Sequence, residues 1–335
     1  MDDKSESSAR SKLGHRFHGV VRLIWLPAER RPRASIRLIV AFLLFLVLAG
    51  AGNQYQPRPI TGNNAIGEVI NMLTAQLPNA LGLGFAVIIA AILVDRRRIT
   101  DLGLEINRQW WRGLAGGTLV GAGVTLLAII VGLRIGYYEL TGVGLPTGLG
   151  VWVVVAVGGA LFQLLFVVPE ELFVRGYIIT NITEGLDGVP SIPRGVAAAV
   201  GIAVSSLFFY QTHTVAKGAV YGSMVGVISI LLGLGYVLSG KLSVPIGIHF
   251  GFNFAGVLAG SNPQYASLIE LTAATTVQES LVFPLEAVLV RLVGAVIGIA
   301  VVAWWYHATR DGIHVVPEIA SPALRWKETQ NTTNA

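Results

Sequence analysis

From about residue 36 to about residue 306 the chain runs in long apolar blocks, broken by short polar or turn-rich stretches. A helix needs about 20 mostly apolar residues to cross the hydrocarbon of a bilayer. Blocks of that order lie at 36–53, 75–94, 113–133, 149–172, 196–214, 219–238, 242–260 and 283–306. Asn53 to Thr61, Asp95 to Arg112, Tyr138 to Thr147, Asp187 to Arg194, Ser239 to Lys241 and Ser261 to Ser280 separate them. The pattern predicts an all-α polytopic membrane protein of eight crossings. A basic N-terminal tail (1–35) and a polar, mobile C-terminal tail (311–335) flank a membrane domain at 36–310.

Composition sharpens this picture. The 335 residues are 53% hydrophobic and only 13% charged, against about 25% charged in soluble domains. Gly113, Gly117 and Gly121 recur at four-residue spacing in the third block, as do Gly222 and Gly226 in the sixth. Such spacing predicts close helix contact, either within the bundle or at a dimer seam. With no cysteine there is no disulfide and no thiol nucleophile. No inverted internal repeat of the transporter kind is visible.

Charge adds orientation. Nine basic residues lie between Lys4 and Arg37, a run too long and scattered for a cleaved signal peptide. Arg96, Arg97, Arg98, Arg108, Arg112, Arg175, Arg194, Lys241, Arg310, Arg325 and Lys327 fall on the same side, whereas only Arg58, Arg134 and Lys217 fall opposite. Positive charge stays on the cytoplasmic side, so both termini are expected there. Trp110, Trp111, Trp304 and Trp305 sit where an interfacial belt would. The net charge of +5 flanks the apolar segments and is no nucleic-acid signature.

Ionisable groups inside spanning helices are functional hypotheses by default, and three helices carry them. The fourth block ends in Glu170-Glu171 with Arg175; the fifth carries Phe209 and His213; the seventh carries His249 and Asn253. Residues one position apart on a helix point about 100° apart. Glu171 therefore pairs with Arg175 one turn on, leaving Glu170 free to meet a water. His249 and Asn253 share a face and offer two donors to one point, as an oxyanion requires. Gly247 and Gly251 are expected to leave room beside His249. His213 becomes the partner of Glu170 on the attacking water. One difficulty stands: a fifth helix starting near 196 puts His213 about 25 Å from its inner end, so it must start later or tilt, or the fourth must run on to about Thr180.

The ordered set Glu-Glu-x-x-x-Arg, Phe-x-x-x-His and His-x-x-x-Asn resembles the CPBP family of CAAX-processing and bacteriocin-processing intramembrane proteases, also called Abi. The resemblance covers about residues 95–260 and includes Asp101-Leu102-Gly103-Leu104 before Trp110-Trp111-Arg112-Gly113. Here Val174 precedes Arg175-Gly176 where family members often carry Phe, with Phe173 one position earlier. The resemblance implies that Glu170 and His213 activate water, that His249 and Asn253 hold the oxyanion, and that Glu171, Arg175 and Phe209 support them. It also implies a peptide or protein substrate, prenylated in the best-known case, and a prokaryotic cell membrane. A metal-free glutamate mechanism is favoured; a zinc held by His213, His249 and Glu170 is the alternative.

Two other classes fit the composition: a non-catalytic immunity or scaffold protein of the same fold, and a proton-coupled transporter using the glutamates. Glu286 and Arg291 read as an ion pair within the last helix. Asn181-Ile182-Thr183 matches a glycosylation triplet on the side where glycosylation does not occur.

Overall fold

A computed structural model describes residues 24–55, 57–62, 64–145, 147–260, 266–273, 285–310, 312–321 and 324. The basic run from Lys4 to Arg22, with Arg325 and Lys327, lies outside the described residues, as do the side chains of Glu286 and Arg291.

Eight principal helices follow the apolar blocks in order. They are α1 (Ala34–Gln54), α2 (Ala65–Ile89, continued by a π turn Ala90–Val94), α3 (Arg108–Arg134), α4 (Leu149–Asp187), α5 (Arg194–Lys217), α6 (Ala219–Ser239), α7 (Ser243–Leu258) and α8 (Leu285–Thr309). Asn64 caps α2 by accepting from the Gly67 amide, and Asn107 caps α3 from the Trp110 amide. Seven of these helices are long and apolar enough to cross a membrane. The exception is α7, whose 16 residues span only about 24 Å. It is shorter than the crossing expected at 242–260 because a turn with Gly260 at φ 92° closes it.

Helix α4 departs most from expectation. It does not stop near 172 but runs for 39 residues. Its α-helical part to Glu171 passes into a π-helical stretch, Leu172–Ile179, and returns to α-helix over Thr180–Asp187. Pro169 lies just before the change and has no amide hydrogen to give the helical ladder. Every side chain from Glu171 to Asn181 is buried, so the extension is core and not loop.

The bundle is centred on a glycine seam between α3 and α7. A Cβ on Gly117 would meet the carbonyl of Val244, one on Gly121 the carbonyl of Ile248, and one on Gly247 or Gly251 the backbone of Leu114 or Thr118. The third-block glycines therefore pack inside the chain and form no dimer seam. Gly247 and Gly251 also face this seam, which corrects the expectation that they make room beside His249. Positions two apart on a helix point about 200° apart, so the glycines and His249 occupy opposite faces. Gly222 and Gly226 pack in the same way on Tyr210 and Thr214 of α5. The outer faces of α1, α4 and α8 present Leu43, Val47, Val157, Leu161 and Val296 outward, as a lipid-facing surface must.

Two small antiparallel ladders lie where only loops or tails were expected. β1 (Trp25–Leu26) pairs with β2 (Arg31–Pro32) inside the N-terminal segment, and β3 (Tyr138–Val143) pairs with β4 (Ile269–Ala273) across the α3–α4 and α7–α8 connections. The C-terminal segment is not free over its described part. A short helix α9 (Pro317–Ala320) buries Ile319 and Ala320, Val316 donates to the Val237 carbonyl, and Leu324 bridges to Arg97.

Candidate active site

The longer α4 removes the difficulty over depth. From the α4–α5 turn, Glu171 is 16 residues back along α4 from Asp187, about 24 Å, and His213 is 19 residues along α5 from Arg194, about 29 Å. The two therefore reach nearly the same level, which the stop at 172 did not allow.

At that level Glu171 is fully buried and is the hub of the polar cluster. Its Oε1 accepts from Arg175 at 3.0 Å and from His249 Nδ1 at 2.8 Å. The other carboxylate oxygen, also buried, has no hydrogen-bond partner. Arg175, equally buried, donates its second terminal nitrogen to Ser229 Oγ of α6 at 2.7 Å. Its guanidinium lies 4.5 Å from the centre of the Phe209 ring. Phe209 in turn meets His249 edge-on at 5.9 Å and packs on His213 at 4.3 Å between ring centres. One phenyl ring thus spaces the guanidinium from both imidazoles.

Both histidines are held through Nδ1. His213 Nδ1 lies 2.8 Å from the Phe209 carbonyl, and His249 Nδ1 lies against Glu171. Carbonyl and carboxylate oxygens only accept, so each Nδ1 carries the proton and each Nε2 is left for chemistry. Glu170, on the next residue to the hub, interacts electrostatically with His249, Arg175 and Lys217, and its carboxylate makes no hydrogen bond or ion pair among the described residues. Asn253 follows His249 by one turn on α7 and is half-buried.

The structure thus brings Glu171, Arg175, Phe209, His213 and His249 into contact at the junction of α4, α5 and α7, with Glu170 adjacent to the hub in sequence and Asn253 one turn along α7. No hydrogen bond joins Glu170 directly to His213 among the described residues. Three neighbours carry no signal in the sequence. Ser229 is a lone hydroxyl in an apolar helix. Tyr221 stacks near His213 at 6.1 Å, and Lys217 lies 4.6 Å from the Tyr221 ring centre. The Phe173 change is confined to packing, since its ring stacks on Phe45 and meets Phe208 edge-on, away from the polar groups.

One lesser reading resolves. Asn181 is fully buried and donates to Asp95 and to the Tyr177 carbonyl, so the glycosylation triplet is a structural feature. Among the described residues no three of His, Asp and Glu are grouped closely enough to hold a metal ion.

Among family models, residues 146–255 match the one described as Rce1-like, type II CAAX prenyl endopeptidase Rce1-like. That stretch holds every residue of the constellation from Glu170 to Asn253. A comparison with curated proteins found no match.

Proposed function

We propose that the chain, whose residues 146–255 match the Rce1-like CAAX prenyl endopeptidase model, is an intramembrane protease of the CPBP kind that hydrolyses a peptide bond near the C terminus of a membrane-associated, prenylated protein, using a water activated by Glu170 and His213. The observation that carries this reading is the pair of histidines fixed through Nδ1 beside an unpartnered carboxylate, inside an apolar bundle.

In this reading Glu170 takes a proton from the water as its oxygen attacks the scissile carbonyl carbon. His213 Nε2 accepts the water's other hydrogen and orients it. The oxyanion that forms is met by His249 Nε2–H and the Asn253 amide. For Nε2 to donate while Nδ1–H remains on Glu171, His249 must be an imidazolium. Charge then balances within the site: Arg175 and His249 oppose Glu170 and Glu171, as buried ions require. Glu170 next gives its proton to the departing nitrogen, the C–N bond breaks, and an acid and an amine result. Glu171 and Arg175 act through His249 and are positioning residues.

The metal-free form of the mechanism is part of the proposal. The test is cleavage of a prenylated C-terminal peptide by the purified protein, beside Glu170→Ala and His249→Ala, with and without a zinc chelator. The expected outcome is a fall of roughly 10²–10⁴-fold in either variant and indifference to the chelator. Loss on chelation, restored by zinc, would overturn the metal-free form. Undiminished cleavage in both variants would overturn the site.

A further inference from the structure

One cavity of the described protein shares no residue with the candidate active site. It encloses about 290 Å³ between the start of α3, the α6–α7 turn and the end of α8. Gln109, Arg112, Lys241, Trp305, Tyr306 and Arg310 supply most of its chemistry. Three of its lining residues are cations and none is a carboxylate. Lys241 faces Glu105, which is 70% exposed and 3.8 Å away. One such exposed contact offsets little of the positive field.

The walls are built for an anion rather than merely decorated with charge. Arg310 lies 5.0 Å from the Tyr306 ring centre and donates to the Leu238 carbonyl at 2.9 Å, which fixes its guanidinium at the cavity edge. Lys241 is only 18% exposed. The hydroxyl of Ser243, fully buried and without a hydrogen-bond partner, lies against Gly113 of the wall, where an added Cβ would stand 2.5 Å from it. The N-terminal turns of α3 and α7 also meet here, and their dipoles favour negative charge. The cavity stands at the level of Trp111 and Trp304, whose exposed rings mark the membrane interface, on the side that holds most basic residues.

We propose that this cavity binds the phosphate headgroup of an anionic phospholipid. A basic pocket between helices at the interface is suited to a charged headgroup whose acyl chains lie along the exposed apolar flank. An occupant would tie α3, the α6–α7 turn and α8 together, and so steady α7, which carries His249.

Retention of phosphatidylglycerol against phosphatidylcholine is measured by native mass spectrometry of the detergent-purified chain, which reads binding without any catalysis. The wild type should retain one phosphatidylglycerol with a preference of roughly tenfold or more, and should unfold at a higher temperature with it. Arg112→Gln with Lys241→Gln should bring the preference close to parity. Arg108→Gln, an exposed cation outside the cavity, should leave it unchanged. An equal preference in wild type and double variant would overturn the site. Protection by inorganic phosphate alone would assign it to a soluble anion, and displacement of lipid by a peptide with a free C-terminal carboxylate would assign it to substrate. Either result would overturn the lipid.

Discussion

Asn253 makes no hydrogen bond among the described residues, which leaves its amide free for the reacting oxygen. A donor used only in the transition state affects turnover and not ground-state binding. Asn253→Ala should therefore lower kcat by roughly 10²–10³-fold while KM stays within about a factor of two; a rise in KM alone would make Asn253 a substrate-binding group. Ser229 offers the contrasting case, because it touches Arg175 and no reacting atom. Ser229→Ala strands a buried guanidinium donor and should reduce stability by about 1.5–3 kcal/mol, read as a lower unfolding temperature in detergent. Ser229→Thr, which keeps the hydroxyl, should recover most of it. The six polar residues of the motifs were legible because charged and polar groups stand out against apolar blocks. Ser229 was not, since a single hydroxyl in α6 has neither charge nor spacing to mark it. Nor did the sequence give the Nδ1 contact between His249 and Glu171, which depends on how far α4 continues.

That continuation is a property of the element. Eight apolar blocks matched eight helices in number and order among the described residues, although α2 starts ten residues before its block, because bilayer length is written directly into composition. The run from Leu172 to Asp187 mixes Arg175, Asn181 and Glu184 into its sequence, so its helical character is set by burial against α1, α2 and α5 and not by hydropathy. π-helical hydrogen bonding over Leu172–Ile179 widens the turn that carries Arg175, a device often found at functional sites. The α3–α7 seam allows a direct test of whether helix position governs the site. Gly121→Val would drive a side chain into the Ile248 carbonyl, next to His249, whereas Gly123→Val enters open space two residues away. The first should cost about 1–3 kcal/mol of stability through overpacking and lower peptide cleavage together with it; the second should do neither. Equal behaviour of the two variants would show that α7 tolerates displacement. The short strands β3 and β4 could not be read in advance, because five or six residues with none fully buried carry too little periodicity.

Across the whole molecule, the ends of several elements meet in a second buried ionic cluster, apart from the candidate active site. Glu184 near the end of α4 accepts from Arg31 of β2, from Arg37 of α1 at 3.0 Å and from Arg97 after α2 at 2.7 Å. Asp95 pairs with Arg37 at 3.0 Å and Arg97 at 3.1 Å. Arg31, Arg37, Arg97 and Asp95 are almost wholly buried, so the loss of one partner would leave an uncompensated charge inside the protein. The N-terminal hairpin is anchored here through Arg31, and the C-terminal segment arrives at the same place through the Leu324–Arg97 bridge. Both described ends therefore lie on one face of the bundle, whatever the sidedness of the membrane. The excess of basic residues on that face predicts that it is cytoplasmic. Compartment-specific reporters fused to either terminus should both read cytoplasm. Opposite readings would break the shared anchoring at Arg97 and Glu184. A periplasmic or luminal reading from both would preserve that anchoring and reverse the orientation, moving the basic cavity of α3, α7 and α8 to the outer leaflet with it.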